Sequence, residues 1–168
     1  MSISIYKITV PFLIHQLTSL DGILKKAEAY AATKKIDPSV LLQARLFPDM
    51  FPLIRQIQIA TDMAKGAAAR LANVEIPRFE DNETTFAELH ARINKCNDFI
   101  GSLDVAQFAG AESRTIQLKV GSQELTFNGE TYITEWVLPN VLFHTTTAYG
   151  ILRHNGVELG KKDFLGML

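Results

Sequence analysis

The sequence predicts an all-α domain, an antiparallel four-helix bundle with a small β-hairpin before the last long helix. Four long segments repeat apolar residues at alternating steps of three and four, which is the period of one helix face. One segment, between residues 114 and 127, instead alternates apolar and polar residues, which is the period of a strand. At 168 residues the whole chain is predicted to form this single domain.

The first long helix is predicted over residues 3 to 34, where an apolar seam runs without a break. Such a regular seam is what a bundle helix needs to pack against its neighbours. The seam consists of Val10, Leu13, Leu17, Leu20, Leu24, Ala27 and Ala31.

Two aspartates predict where the next helices start. Asp37, followed by a proline, is predicted to cap a short helix that runs through about Leu46. Asp49 is predicted to cap the second long helix, which spans residues 50 to 72. Asn73 is a suitable residue to end it.

The third long helix is predicted to begin at a capping box. Thr85 and Glu88 have the spacing of a capping box, in which each side chain accepts a hydrogen bond from the backbone N–H of the other residue. Cys96 lies in the apolar seam of this helix and is predicted to be a small buried residue. His90 lies one position off the seam and is predicted to face solvent.

The strand-period segment is predicted to form a hairpin. A two-residue Gly121-Ser122 turn fits a type II′ connection. The resulting register places opposite charges together on one face and apolar pairs on the other. It pairs Val120 with Gln123, Lys119 with Glu124, Leu118 with Leu125, and Ile116 with Phe127.

The last long helix, residues 129 to 156, organises the chain because it is apolar on nearly every side. Its core stripe contains two polar residues one turn apart, Asn140 and His144. Pro139 predicts a kink, since proline removes one backbone hydrogen bond. A helix that is apolar all round is either central to a domain or shared with a second subunit.

The composition of the chain argues against some classes of partner and predicts a cellular compartment. The net charge is −1, and no Lys/Arg cluster is interleaved with aromatic residues, so nucleic acid is not an expected partner. No apolar run reaches the roughly 20 residues that span a bilayer, so no membrane association is expected. The single Cys96 cannot form an internal disulfide, which fits a reducing compartment. We therefore expect a cytoplasmic protein.

Three stretches of the chain match a known family. They are FPDMFPLIRQIQIATDMAKGAAARL, FEDNETTFAEL and PNVLFHTTTAYGILRHNGVELGKKDFLG. Through them the chain resembles, nearly end to end, a bacterial and fungal family of unknown function within the DinB-like (DinB/YfiT) superfamily of metalloenzymes. The resemblance implies a DinB-like bundle, which is often a dimer, so a homodimer is expected. It also implies an activity like that of thiol-dependent transferases or metal-dependent hydrolases.

The resemblance further implies which residues occupy the superfamily's metal-binding positions. The superfamily uses one histidine on the second long helix and a His-x-x-x-His pair on the last. Here His144 matches the later member of the pair, and Asn140 stands at the earlier one. The second-helix position falls near Gln58, with Gln56 as the other possibility. One histidine of the three is present, so a bound divalent metal is disfavoured.

Three hypotheses account for Gln58, Asn140 and His144. The first is a structural core triad whose members satisfy one another's hydrogen bonds. The second is a small-molecule pocket, in which the imidazole transfers a proton and the two amides orient a substrate. The third is a divalent metal held by the imidazole and amide oxygens, which are weak ligands for zinc or nickel. An open cavity at the cluster favours the second hypothesis, and a dry packed triad favours the first.

Overall fold

A computed structural model of the chain describes residues 4–167 and confirms the predicted fold class. Three long helices precede a two-stranded antiparallel hairpin, and a fourth follows it. The elements are α1 (Ile5–Lys34), α2 (Pro38–Leu42), α3 (Leu53–Ala72), α4 (Phe86–Gly101), two 3₁₀ turns (Val105–Phe108 and Ala111–Ser113), β1 (Ile116–Val120), β2 (Gln123–Phe127), α5 (Gly129–Thr131), a π-helical segment (Tyr132–Val137), α6 (Leu138–His154) and α7 (Lys161–Phe164).

The core lies between the four long helices, where leucine, isoleucine and alanine side chains are buried. α3 and the last long helix run antiparallel. Gln56 near the start of α3 contacts His144 in α6, and Arg70 near its end contacts Tyr132 at the start of the π-helical segment. Within residues 4–167, no helix combines the length and the apolar character that a membrane span requires.

The start of α3 differs from the prediction. The helix begins at Leu53 with Pro52 as its N-cap, not after Asp49. Proline disfavours helical backbone in the residue before it, so Phe51 cannot continue a helix into α3. The short helix α2 likewise ends at Leu42 rather than near Leu46. Residues 43–52 therefore form an irregular segment that crosses from α2 to α3.

Helix α4 begins at the predicted capping box. The hydroxyl of Thr85 accepts from the backbone N–H of Glu88 at 3.2 Å, and the Glu88 carboxylate accepts from that of Thr85 at 3.0 Å. His90, in contrast, was predicted to face solvent and does not. Its side chain is only 15% exposed, and Nδ1 bonds the Asp21 carboxylate of α1. The prediction was wrong because a carboxylate on a neighbouring helix can hold an off-seam histidine inside a helix interface.

The hairpin has the predicted register at every pair. Ile116 lies opposite Phe127, Leu118 opposite Leu125, and Val120 opposite Gln123. Its apolar face packs on the bundle, with Ile116 buried and Phe127 against the aromatic rings of the last helix. A lone hairpin is marginal in water, so this packing is what stabilises it.

The last long helix is continuous from Gly129 to His154, but its hydrogen-bond spacing changes before Pro139. Residues 132–137 form a π-helix. Proline has no backbone N–H, so the carbonyl of Glu135 cannot receive the bond that α-helical spacing would provide. A π-helical turn is one way in which a helix accommodates such an interruption.

Two glycines give a matched test of this packing. A Cβ atom on Gly129 would lie 1.7 Å from the backbone oxygen of Ala111, whereas one on Gly22, within α1, would meet nothing within 4 Å. We expect Gly129→Ala to lower the free energy of unfolding by about 3 kcal/mol or more, because a backbone atom must move. Gly22→Ala should raise it by about 0.5–1 kcal/mol, through helix propensity. Urea denaturation measures both, and equal effects of the two changes would contradict the packing described.

Candidate functional site

Of the four predicted site residues, the structure brings only Gln56 and His144 into contact. The Nδ1 atom of His144 lies 2.7 Å from Oε1 of Gln56. The amide nitrogen of Gln56 donates in turn to the carbonyl oxygen of Phe51 at 3.0 Å. An amide whose nitrogen is so engaged presents its oxygen to the imidazole, so Nδ1 carries the proton. His144 is thereby fixed in one tautomer and one orientation.

The other ring nitrogen of His144 is available. The residue is only 9% exposed. Within residues 4–167 no hydrogen bond to Nε2 is found, and Nε2 is not among the fully buried atoms that lack a partner, so part of its surface is exposed. Burial lowers the pKa of His144, and the positive charge of Arg55 lowers it further. The imidazole is therefore neutral near pH 7, and Nε2 has a free lone pair that can accept a hydrogen bond, accept a proton or bind a metal.

Asn140 does not join His144. It is half-buried, and its amide nitrogen donates to the backbone oxygen of Trp136 at 2.7 Å. Trp136 belongs to the π-helical segment, where the backbone spacing is irregular. The side chain of Asn140 thus satisfies a carbonyl of its own helix, which is a structural role.

Gln58 also lies elsewhere, and the predicted triad of Gln58, Asn140 and His144 is wrong. The amide nitrogen of Gln58 donates to Glu83 at 2.9 Å, and its oxygen accepts from Arg55 at 3.1 Å. Side chains two positions apart on a helix point in nearly opposite directions. Gln56 faces α6, so Gln58 faces α4 and the segment before it.

The cluster around Gln58 is an ion-pair network that the sequence did not reveal. At its centre is Arg92, whose side chain is 2% exposed and lies within 3.0 Å of the carboxylates of Asp62, Asp81 and Glu83. Burial disfavours the charge of Arg92, but these carboxylates outweigh it and raise its pKa. The acidic run at residues 80–83, directly before α4, was the one available signal. The network ties that segment to α3 and α4.

Cys96 is not a nucleophile. Its side chain is fully buried and its thiol donates to the backbone oxygen of Thr61 at 3.4 Å. Burial raises the pKa of the thiol to about 12. Since the thiolate is the reactive form, this cysteine is inert at neutral pH.

The residues at the superfamily's metal-binding positions do not fit a metal ion. His144 can offer Nε2, but Gln56 uses its oxygen to hold the same imidazole, while Asn140 and Gln58 are bonded elsewhere. Residues 4–167 contain no group of three His, Cys, Asp or Glu side chains placed to share an ion. One imidazole is too small a donor set for zinc, which takes three or four protein ligands.

The imidazole of His144 lies beside one exposed aromatic ring. The ring of Phe143 meets the imidazole edge-on, with centroids 5.2 Å apart, and is 58% exposed. Phe51, whose carbonyl holds Gln56, is 55% exposed. Four concavities of the described chain, between 110 and 580 Å³, are lined by residues other than His144. The edge of the imidazole therefore adjoins the exposed ring of Phe143.

The four-helix bundle with a hairpin before its last long helix is a DinB-like fold. The structure is similar to the crystal structure of a DinB family member protein from Shewanella denitrificans, with a TM-score of 0.88 and 46% identity. That match covers 97% of this chain and 92% of the other. The chain belongs to the family described as a domain of unknown function (DUF1993), whose model matches residues 5–165. No curated protein matches it.

The lowered pKa of His144 predicts how stability depends on pH. In the unfolded chain the pKa of His144 has its ordinary value of 6.5, whereas in the folded chain it is lower. Below pH 6.5 the unfolded chain therefore binds a proton at His144 that the folded chain does not, so this residue makes the protein less stable as the pH falls. The stability advantage of wild type over His144→Gln should therefore shrink between about pH 7.5 and about pH 5. Urea denaturation at each pH measures it. Thr147→Val, on the same buried stripe, is the control and should show a difference from wild type that does not vary with pH.

The donor set also predicts metal content. Protein purified without chelator should contain less than about 0.1 zinc, nickel or manganese ion per chain, because one imidazole does not retain a divalent ion. Added metal should leave the melting temperature unchanged, since a ligand that does not bind the native state does not stabilise it. One ion per chain in wild type that is absent from His144→Ala would show that the donor set has been misjudged.

Proposed function

We propose that the protein is a small-molecule-binding protein whose site is the outer edge of His144 and needs no metal. The supporting observation is the chain of hydrogen bonds from His144 through Gln56 to the carbonyl of Phe51. It places the proton on Nδ1 and leaves Nε2 as an oriented acceptor at the surface. A buried imidazole held in one tautomer in this way is suited to proton transfer.

The same surroundings define the ligand class. A neutral Nε2 accepts a hydrogen bond, so the ligand must present an acidic hydrogen. The lowered pKa of His144 makes it a weak base, which favours donors such as thiols, phenols or carboxylic acids. The exposed ring of Phe143 beside the imidazole suits an apolar ligand body. The charge of Arg55, which acts on His144, would also favour the anion left after proton transfer.

A thiol is the donor that the resemblance to thiol-dependent transferases favours. In the step we propose, the S–H bond breaks, the proton moves to Nε2 of His144, and the electron pair stays on sulfur. The products are a thiolate and an imidazolium whose Nδ1–H still donates to Gln56. Because Cys96 is inert, the thiol has to come from the ligand.

The alternative function is a non-catalytic interaction protein with a purely structural polar core. Asn140 and Gln58 favour it, because both amides are occupied by bonds within the chain. Under this alternative, the only role of His144 is to donate a hydrogen bond to the side-chain oxygen of Gln56. Cytoplasmic location stays a prediction from the single cysteine under either function.

Ligand binding separates the two functions. A panel of low-mass thiols, phenols and carboxylic acids is titrated into isotope-labelled protein, and chemical-shift changes are followed at His144. Binding of at least one class should be weakened about tenfold or more by His144→Gln, which corresponds to one lost hydrogen bond. His154→Gln, an exposed histidine at the end of the same helix, should leave binding unchanged. Binding that His144→Gln leaves intact, or no binding by any class, would support the interaction protein.

A further inference from the structure

Two arginines at the C-terminal end of the bundle's second long helix and just before the hairpin lack a counter-charge. Other arginines that are withdrawn from solvent have one, since Arg55 and Arg92 both form ion pairs with carboxylates. Arg70 and Arg114 are also partly buried, but within residues 4–167 neither of them forms an ion pair with a carboxylate. A charge that is withdrawn from water is normally paired, so these two guanidinium groups stand apart.

Both guanidinium groups bond only neutral oxygen atoms. Nη1 of Arg70 donates to the phenol oxygen of Tyr132 at 3.2 Å. Arg114 donates to the backbone oxygens of Leu71 and Ala109, the second at 3.3 Å. Burial raises the pKa of the Tyr132 phenol, so this group is uncharged near neutral pH and does not compensate Arg70. Because a guanidinium has more N–H donors than these bonds use, donors as well as charge are left over.

The two arginines line the same cavity, which has a volume of about 260 Å³ and lies between the end of α3 and the start of β1. We call it the arginine cavity. Its lining residues are Arg70, Asn73, Val74, Ile76, Arg114, Thr115, Ile116 and Gln117. None of them is acidic, whereas each of the other three concavities described above includes at least one aspartate or glutamate. The arginine cavity is therefore positively charged.

The negative end of the α3 helix dipole does not cancel this charge. The backbone N–H of Asn73 donates to the carbonyl of Arg70 at 3.2 Å, and the side chain of Arg114 bonds the carbonyl of Leu71. These carbonyls belong to the last turn, which carries a partial charge of about −0.5 in all. Two full positive charges outweigh that partial charge, so the arginine cavity attracts anions.

We propose that the arginine cavity is a binding site for a phosphate group, either free phosphate or the phosphate of a small monoester. Two guanidinium groups match an anion that carries close to two negative charges near neutral pH. Their planar forks also match the spacing of phosphate oxygens. The hydroxyl of Thr115 and the amides of Asn73 and Gln117 add hydrogen-bond donors to the lining.

The volume and the position of the arginine cavity restrict its ligand further. Pockets for drug-sized molecules have volumes of roughly 300–1,000 Å³, so a cavity of about 260 Å³ suits a smaller molecule. It lies at the end of α3, whereas Gln56, which holds His144, is near the start of that helix. The phosphate site is therefore separate from the His144 site and does not depend on the proposed function.

Calorimetric titration with inorganic phosphate, at constant ionic strength in chloride, tests the proposal. Wild type should bind one phosphate per chain. Arg70→Gln and Arg114→Gln should each weaken binding about tenfold or more, which corresponds to one lost bond to a charged group. The matched control is Arg153→Gln, which removes the same charge from an exposed position at the end of α6 and should leave binding unchanged.

Arg70→Gln is the decisive variant, because Arg114→Gln also loses its bonds to the backbone at the end of α3. Circular dichroism should show Arg70→Gln folded. No saturable binding by wild type at about 10 mM phosphate, or binding that a folded Arg70→Gln leaves unchanged, would overturn the proposal.

Two further titrations test the ligand class and the location. Acetate has one negative charge and should bind about tenfold more weakly than phosphate, so equal binding of acetate would refute the assignment to phosphate. Tighter binding of glycerol phosphate than of inorganic phosphate would identify a monoester as the ligand, and equal or weaker binding would identify free phosphate. In ¹H–¹⁵N spectra, phosphate should shift the amide signals of Thr115 and Gln117 and leave those of His144 unchanged. Shifts centred on His144 instead would contradict the location.

Discussion

The contact that links α3 to α6 at the site is the hydrogen bond from His144 to Gln56. Both side chains are buried, and a buried polar group without a partner costs about 1–3 kcal/mol. Apolar packing alone would tolerate small shifts of one helix along the other, whereas this bond holds the two at one register. Its extension to the carbonyl of Phe51 also positions segment 43–52. One interaction thus sets the imidazole tautomer, the helix register and the path of segment 43–52.

The geometry of α3 divides the polar residues into two groups. Successive helix positions are rotated by about 100°, so side chains two positions apart lie about 200° apart. Gln56 therefore faces α6 and bonds His144, while Gln58 faces α4 and joins the network around Arg92. The groups differ in character. The Arg92 network is rich in mutually satisfied charges and holds a connecting segment in place, which is a structural role. The His144 group is nearly uncharged and keeps one acceptor unsatisfied.

The sequence predicted features that depend on local chemistry. The hairpin register followed from a two-residue turn and alternating residues, and the capping box from Thr85 and Glu88. Asn73 ends α3 in the left-handed conformation, with φ of 56°, as its short side chain allows. The start of α3 was mispredicted because Asp49 is a good capping residue by itself, while the restriction that Pro52 places on its predecessor decides the outcome.

Features that depend on which helices are neighbours could not be predicted in this way. Choosing Gln56 over Gln58 as the partner of His144 requires the rotation of α3 about its axis, which a helix apolar on several sides does not reveal. His90 was predicted to face solvent because its hydrogen-bond partner, Asp21, is distant from it in sequence. Arg92 also lies off the α4 seam, and only its three carboxylate partners make it a buried residue. Long-range pairing of polar groups is therefore what local periodicity misses.

The tautomeric state of His144 tests the account most directly. Two-bond ¹H–¹⁵N correlation spectra of the wild-type protein near pH 7 report which ring nitrogen carries hydrogen. The account predicts a neutral ring with hydrogen on Nδ1 and none on Nε2, and a mixture of tautomers in Gln56→Leu, which removes the acceptor. Hydrogen on Nε2 in wild type, or a doubly protonated ring near pH 7, would contradict it, because no acceptor would then be available at the surface.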